Sequence, residues 1–169
     1  MLPAIFHRDA MEHCFPPVVD ADTRLLVLGS LPGAVSLAKQ RYYAHPQNQF
    51  WRLIGAVIGR DLVAFPYEER LAALRESRVG LWDTVAAATR RGSLDSDIRL
   101  HAASDVGRLA ESLPELRAIA FNGGTAARIG RRQIGETRLE LIDLPSSSPA
   151  FKRPFEAKLE AWLKLRAFL

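Results

Sequence analysis

The sequence has one cysteine, Cys14, and only four lysines among 169 residues. A lone cysteine excludes an internal disulfide, a four-cysteine zinc site and a four-cysteine iron–sulfur cluster. The four histidines (His7, His13, His45, His101) show no metal-ligand spacing, so neither metal nor cofactor is expected. No apolar run approaches the roughly 20 residues of a membrane span. The opening MLPAIFHRDAMEHCF lacks the basic head and apolar middle of a signal peptide. A cytoplasmic chain with no membrane partner is the expectation. No repeat, linker or low-complexity stretch divides it, so residues 1–169 read as one domain and a monomer is the default.

What is present is an ordinary globular balance, 48% hydrophobic and 25% charged, in a chain long enough to bury its own core. The net charge of +4 is carried almost wholly by arginine, whose planar fork matches phosphate bidentately. No basic run exceeds a pair, Arg90-Arg91 or Arg131-Arg132. The balance favours a polyanionic partner without identifying one.

The hydrophobic pattern alternates short apolar runs with amphipathic stretches. RLLVLGS (24–30), VGLWDTV (79–85), LRAIAFNGG (116–124) and RLELIDLP (138–145) read as strands ending in turn residues. LPGAVSLA reads as a turn leaving the first of them, and AAATRRGSLDSDI as a polar loop after the second. Helical spacing marks QFWRLIGAVIG (49–59, stopping near Gly59), PYEERLAALRES (66–77, with Pro66 at its start), DVGRLAESL (with Ser104 as cap), TAARIGRR and the tail RPFEAKLEAWLKLRAFL. Strands alternating with helices predict an α/β fold with a mostly parallel sheet covered on both faces. In such sheets ligands bind beyond the carboxyl ends of the strands. Four loops rich in polar residues, glycine or proline converge there: GSLPG, WDT, FNGG and LPSSSPA.

Residues 42–51, YYAHPQNQFW, carry too much hydrogen-bonding chemistry for pure core and too many rings for a solvated loop. Phe50 and Trp51 suit a core anchor for the following helix. Tyr43, His45 and Asn48 are the candidates for chemistry.

Taken in order, Gly29-Ser30-Leu31-Pro32-Gly33, Tyr43 to Trp51, Gly80-Leu81-Trp82-Asp83, Phe121-Asn122-Gly123 and Leu144 to Ala150 resemble the uracil-DNA glycosylase superfamily. The match is to its mismatch-specific and hypoxanthine (deoxyinosine) branches, and it spreads over residues 24 to 150. Singly these motifs are weak; their order makes the signal specific. The resemblance implies a three-layer α/β/α sandwich around a central four-stranded, mostly parallel sheet. It implies a DNA-repair hydrolase that cuts the N-glycosidic bond of a deaminated base flipped out of DNA, hypoxanthine in preference. The alternatives are a uracil- or mismatch-specific glycosylase, or a non-catalytic nucleic-acid-binding module of the same fold.

Many relatives hold an Asp or Asn third in the first motif to position the attacking water, where this chain has Leu31. In the hypoxanthine branch an Asn of the histidine–proline segment is thought to serve, and Asn48 matches it. The resemblance makes Asn48 and His45 the catalytic candidates, and Tyr43, Asp83, Leu31 and Ser30 the base-binding ones. Ser146, Ser147, Ser148, Ala150 and Phe151 would contact DNA, with the duplex wedge at Ala150 or displaced to Phe151.

The chemistry suits these types. An aromatic face binds a stacked base at about 1–3 kcal/mol. An amide can accept from a water or donate to it. A carboxylate can accept from the N1–H of hypoxanthine, an edge guanine shares. Each residue also has a plainer role on its own: Tyr43 as a half-buried ring, Asn48 as a helix cap, His45 as the brace of its own loop, Asp83 as a turn cap, and PSSSPA as a hydroxyl-rich turn. Of the four lysines, Lys152, Lys158 and Lys164 fall outside the motifs and only Lys39 is open to being counted with them, so a covalent lysine intermediate is not expected.

Overall fold

The computed structural model describes residues 12–90 and 98–169. Along them run β1 (Glu12–His13), β2 (Leu25–Gly29), α1 (Ala34–Lys39), α2 (Phe50–Ile58), α3 (Tyr67–Glu76), β3 (Val79–Asp83), β4 (Val85–Arg90), β5 (Ile98–Ala103), α4 (Val106–Ser112), β6 (Ala118–Asn122), α5 (Gly124–Ile134), β7 (Glu140–Leu144) and α6 (Phe155–Leu163). A 3-10 turn over Leu62–Ala64 precedes α3, and another over Lys164–Phe168 follows α6.

The main sheet has the order β3-β2-β6-β7, and each of its three pairings is parallel. β2 is buried at every position, as its unbroken LLVLG run requires of a parallel strand covered on both faces. Alternation along the strands then sorts the core into two layers. Leu25, Val27, Val79, Leu81, Ala118 and Ala120 face α2, α3 and α6 through Phe50, Leu53, Ile54, Leu74 and Trp162. Leu26, Leu28, Ile119 and Phe121 face α4 and α5 through Val106 and Ala126. The result is the expected three-layer sandwich.

Three elements differ from the sequence reading. LPGAVSLA does not simply turn; it holds the six-residue α1. AAATRRGSLDSDI is not a loop at its two ends: β4 pairs antiparallel with β5, and β1 pairs with β4, making a second three-stranded sheet. The alanine-rich stretch has little strand propensity, and partners distant in sequence supply its ladder. Residues 91–97 of that stretch lie outside the described residues. Ser104 is not the cap of α4; Asp105 is, its carboxylate accepting from Arg108 N at 3.1 Å, while Ser104 N donates to the Thr84 carbonyl. Among the described residues no helix is long and apolar enough to cross a membrane.

After β2 the chain crosses to β3 on one side, then returns past β2 to β6 on the other. Helices therefore diverge between β2 and β6, and a crevice opens at their carboxyl ends. α2 delivers the YYAHPQNQFW segment to that crevice. It is held by buried Phe50, Trp51, Leu53, Ile54 and Val57 and stopped by Gly59, whose φ of 72° is left-handed.

Gly55, on the buried side of α2, tests this packing. Alanine is favoured over glycine in a helix by about 1 kcal/mol. A Cβ at Gly55 would nevertheless lie 2.7 Å from the Arg60 carbonyl oxygen, a backbone atom that cannot swing away. Gly55→Ala is expected to lose about 1–3 kcal/mol net in urea or thermal melting. A variant as stable as the parent would show that the α2 end yields freely.

Candidate active site

The four parallel strands end level. Gly29 pairs with Asp83, and Asn122 with Leu144, one step past the Leu28–Phe121 pair. Beyond these ends lies a cleft of about 400 Å³. Ser30, Leu31, Tyr43, His45, Asn48, Asp83, Ser146, Ser147, Ser148, Ala150 and Phe151 all line it. Every residue singled out from the sequence is thus brought to one place. Phe50 and Trp51 are core, at 0% and 4% exposure. Leu31 is largely turned inward, packing with Val85 and Ile129.

Tyr43 sits in a left-handed conformation, φ 52°, which a non-glycine residue adopts at a cost of about 1–2 kcal/mol. Its neighbours hold it there. Ala44 N donates to Ser36 Oγ at 3.0 Å, and Tyr42 N to the Tyr67 hydroxyl at 2.9 Å. The Tyr43 ring stacks on Phe50 with centroids 3.9 Å apart and planes 17° from parallel. Its hydroxyl accepts from Asn122 Nδ2 at 3.2 Å. One ring face is therefore fixed by core.

The Asn48 side chain ties the start of α2 to the loop after β7. Asn48 is not the N-cap of α2, which is Gln49; from one residue ahead of that cap, its Oδ1 accepts from Phe50 N at 2.9 Å and from the Ser147 hydroxyl at 2.8 Å. Because a backbone N–H can only donate, the amide cannot be the other way round. Both lone pairs of the carbonyl are taken. Of the two ways an amide can hold a ligand, accepting is closed to this carbonyl, and the end of Asn48 left to a ligand is its NH₂. His45 is exposed, and its Nδ1 accepts from Gln47 N at 3.1 Å. In the neutral ring that contact puts the proton on Nε2, so His45 too offers a donor.

Asp83 is 3% exposed and closes over the end of β2. A Cβ at Gly29 would meet Asp83 Oδ1 at 2.7 Å and the Tyr43 hydroxyl at 3.0 Å. Only a residue without a side chain lets both polar groups reach this point of the floor.

The loop after β7 is tied down from below. Trp162 Nε1 donates to the Pro145 carbonyl at 3.0 Å, and Lys158 Nζ to the Ser148 carbonyl at 3.3 Å. Ser147 departs from its expected contact with DNA. It is 1% exposed, its N–H donates to Asn122 Oδ1 at 2.9 Å, and its hydroxyl lies between Asn122 Nδ2 and Asn48 Oδ1. An oxygen so enclosed is not left for a phosphate. Ser146 and Ser148 are half-buried and Ala150 exposed. Phe151 is 45% exposed at the rim, with Lys158 Nζ 5.5 Å and the Arg153 guanidinium 6.0 Å from its ring centroid.

Two residues escaped the sequence reading. Asn122 looked like part of a glycine-rich strand end, and the only signal was a polar amide closing an apolar strand. Lys158 fell outside the motifs, yet it is 1% exposed beneath the loop, and burial holds its ammonium below the usual lysine range.

A parallel sheet with a donor-lined, aromatic-walled cleft at its switch point defines an α/β ligand-binding or catalytic protein. The family model of the uracil DNA glycosylase superfamily matches residues 16–166. Two curated relatives, hypoxanthine DNA glycosylases of Methanosarcina barkeri and Methanosarcina acetivorans, are 41% and 43% identical over 151 residues, 88% of this chain and 93% of each relative. A solution NMR structure of a candidate uracil DNA glycosylase from Methanosarcina acetivorans is 40% identical, covers 94% of this chain and 99% of its own, and superposes with a TM-score of 0.82. The chain belongs to the uracil DNA glycosylase superfamily.

Tyr42 forms part of the cleft wall and donates its hydroxyl to the Pro16 carbonyl at 2.9 Å. Burial first, then the charge of Asp83, pushes its phenol well above the ordinary tyrosine range. A group whose folded pKa is raised contributes stability that is whole below its unfolded pKa, here about 10, and is lost as pH climbs beyond it. Half-buried Tyr67 acts in the same direction. Tyr42→Phe should cost about 1 kcal/mol at pH 7 for the lost hydrogen bond. It should also lose less melting temperature between pH 8 and 10.5 than the parent does. Equal alkaline slopes would remove Tyr42 as the cause.

Proposed function

We propose that the chain is a DNA glycosylase that hydrolyses the N-glycosidic bond of hypoxanthine in DNA. Its strongest support is the likeness over 88% of the chain to two hypoxanthine DNA glycosylases, together with a cleft whose chemistry suits the reaction. The flipped base stacks on Tyr43, whose far side is braced by Phe50, and the stack offsets part of the cost of unstacking. Ser30 and Leu31 bound the base, and Asp83 accepts from its N1–H. Ser146, Ser148 and Ala150 follow the backbone, and Phe151 fills the gap left in the duplex.

As the bond from C1′ to the base nitrogen stretches, positive charge grows on the sugar and negative charge on the base. His45 Nε2–H meets the base anion. Asn48 Nδ2 donates to the oxygen of a water and so places it against C1′. The C1′–N bond breaks, a C1′–O bond forms, and the water's proton leaves with the base. The products are free hypoxanthine and an abasic sugar. Placement and donor electrostatics supply the rate rather than a strong base. No lysine lines the cleft among the described residues, and hydrolysis proceeds without a covalent intermediate.

Labelled duplexes with inosine, uracil, xanthine or a thymine mismatch, treated with alkali after incubation, test this directly. Cleavage is expected at inosine fastest. Faster cleavage at uracil would replace the base preference, and cleavage at none would leave a binding module. In single-turnover assays Asn48→Ala should lower the rate about 100-fold or more with DNA affinity held within a few-fold. Asn48→Asp puts an acceptor where the NH₂ stood and should fall with it. An Asn48→Asp rate near the parent's would refute the donor role.

A further inference from the structure

We propose that Asn122 and Ser147 are positioning residues for the reaction: a hydrogen-bond relay from the Asn122 amide through the Ser147 hydroxyl turns the Asn48 NH₂ toward the cleft. The proposal rests on the glycosylase reading and adds to it two groups that need not touch the substrate.

The direction of every proton in the relay follows from its two ends. Ser147 N–H can only donate, so the atom of Asn122 it meets at 2.9 Å is the carbonyl oxygen. The other end of that side chain is then Nδ2, which donates to Ser147 Oγ at 2.9 Å and to the Tyr43 hydroxyl at 3.2 Å. The Ser147 oxygen has one proton left to give, and it goes to Asn48 Oδ1 at 2.8 Å. Phe50 N–H, also donor only, fixes the same oxygen from the far side. Asn48 has no freedom to flip. Its NH₂ has no protein partner among the described residues.

The relay joins segments that are remote in sequence, the end of β6, the loop after β7 and the approach to α2. Asn122 and Ser147 are 7% and 1% exposed. Buried amides and hydroxyls are costly unless satisfied, and here each atom has a partner. A purely structural clip would need only that the three segments be joined. The relay also has a polarity, and polarity can be reversed.

Asn122→Asp does so. It keeps an oxygen for Ser147 N–H and replaces the NH₂ with an acceptor. Ionised, that acceptor draws the Ser147 proton away from Asn48, whose carbonyl then keeps only the Phe50 N–H and whose NH₂ is held less firmly toward the cleft. Protonated, the carboxyl again has a hydroxyl to donate, and the original direction returns. The pKa of a carboxyl enclosed here rises from about 3.9, which brings the change into an assay range. The single-turnover rate on inosine duplex, as a ratio to the parent at each pH, should be about 10–100-fold down at pH 8. The ratio should climb back toward one as pH falls through the carboxyl's pKa. Ser147→Ala, which removes the central proton, should show the same loss and no recovery, with DNA affinity unchanged in both.

The side-chain amide resonance of Asn48, identified by its loss in Asn48→Ala, reads the relay without activity. It should shift in Asn122→Asp with the midpoint of the rate and stay constant in the parent. A flat ratio near one, or a resonance that ignores pH in Asn122→Asp, overturns the relay. A parent chain that cuts no duplex overturns the glycosylase reading instead, and with it the catalytic purpose of the relay, while the resonance still decides whether the relay exists.

Discussion

The parallel pairing of β2 with β3 on one side and β6 on the other is the constraint on which the rest of the molecule depends. It brings Gly29, Asp83 and Asn122 to one level, and each then stands at the mouth of a loop. Because helices leave the sheet in opposite directions at this point, the space between them cannot be filled by backbone. The cleft is a consequence of strand order before any side chain is considered. Side chains then decide what it holds.

Its floor depends on close approach. The β2 end carries no side chain at Gly29, so the Asp83 carboxylate and the Tyr43 hydroxyl both come within about 3 Å of where a Cβ would be. Tyr43 reaches that point through a left-handed backbone, strain that the Phe50 stack and the hydrogen bonds of its neighbours offset. α2 is therefore more than cover for the sheet. The helix that buries Phe50, Trp51 and Leu53 also holds the tyrosine ring and presents Asn48 in the turn before it.

Around that floor the polar groups are arranged by direction as much as by type. Carbonyl oxygens of Asn48 and Asn122 point into the protein, met by backbone N–H groups. The Asn48 NH₂ and, in the neutral ring, His45 Nε2–H are left for a ligand. Lys158 lies beneath the loop after β7 and beside Phe151, adding positive charge under the wall. A site that offers donors favours a ligand on which negative charge develops, and the departing base of the proposed reaction is one.

The apolar runs and their spacing determined the four parallel strands, α2, α3, α5 and the tail helix, because burial on two faces leaves a periodic trace in the sequence. Glycine and polar residues at the strand ends, Asp83 among them, marked where the cleft lies, while Tyr43, His45 and Asn48 stood out by residue type in the segment ahead of α2. The second sheet could not be read, since β4 and β5 are alanine-rich and owe their form to each other. The roles of Asn122 and Ser147 were equally hidden. Their spacing of 25 residues carries no local signal, and the hydrogen bonds that join them to Asn48 exist only once three distant segments meet. Residue type determines which groups can donate or accept; which atom of Asn48 faces the cleft was decided by the backbone N–H and the hydroxyl that tertiary structure set against the other.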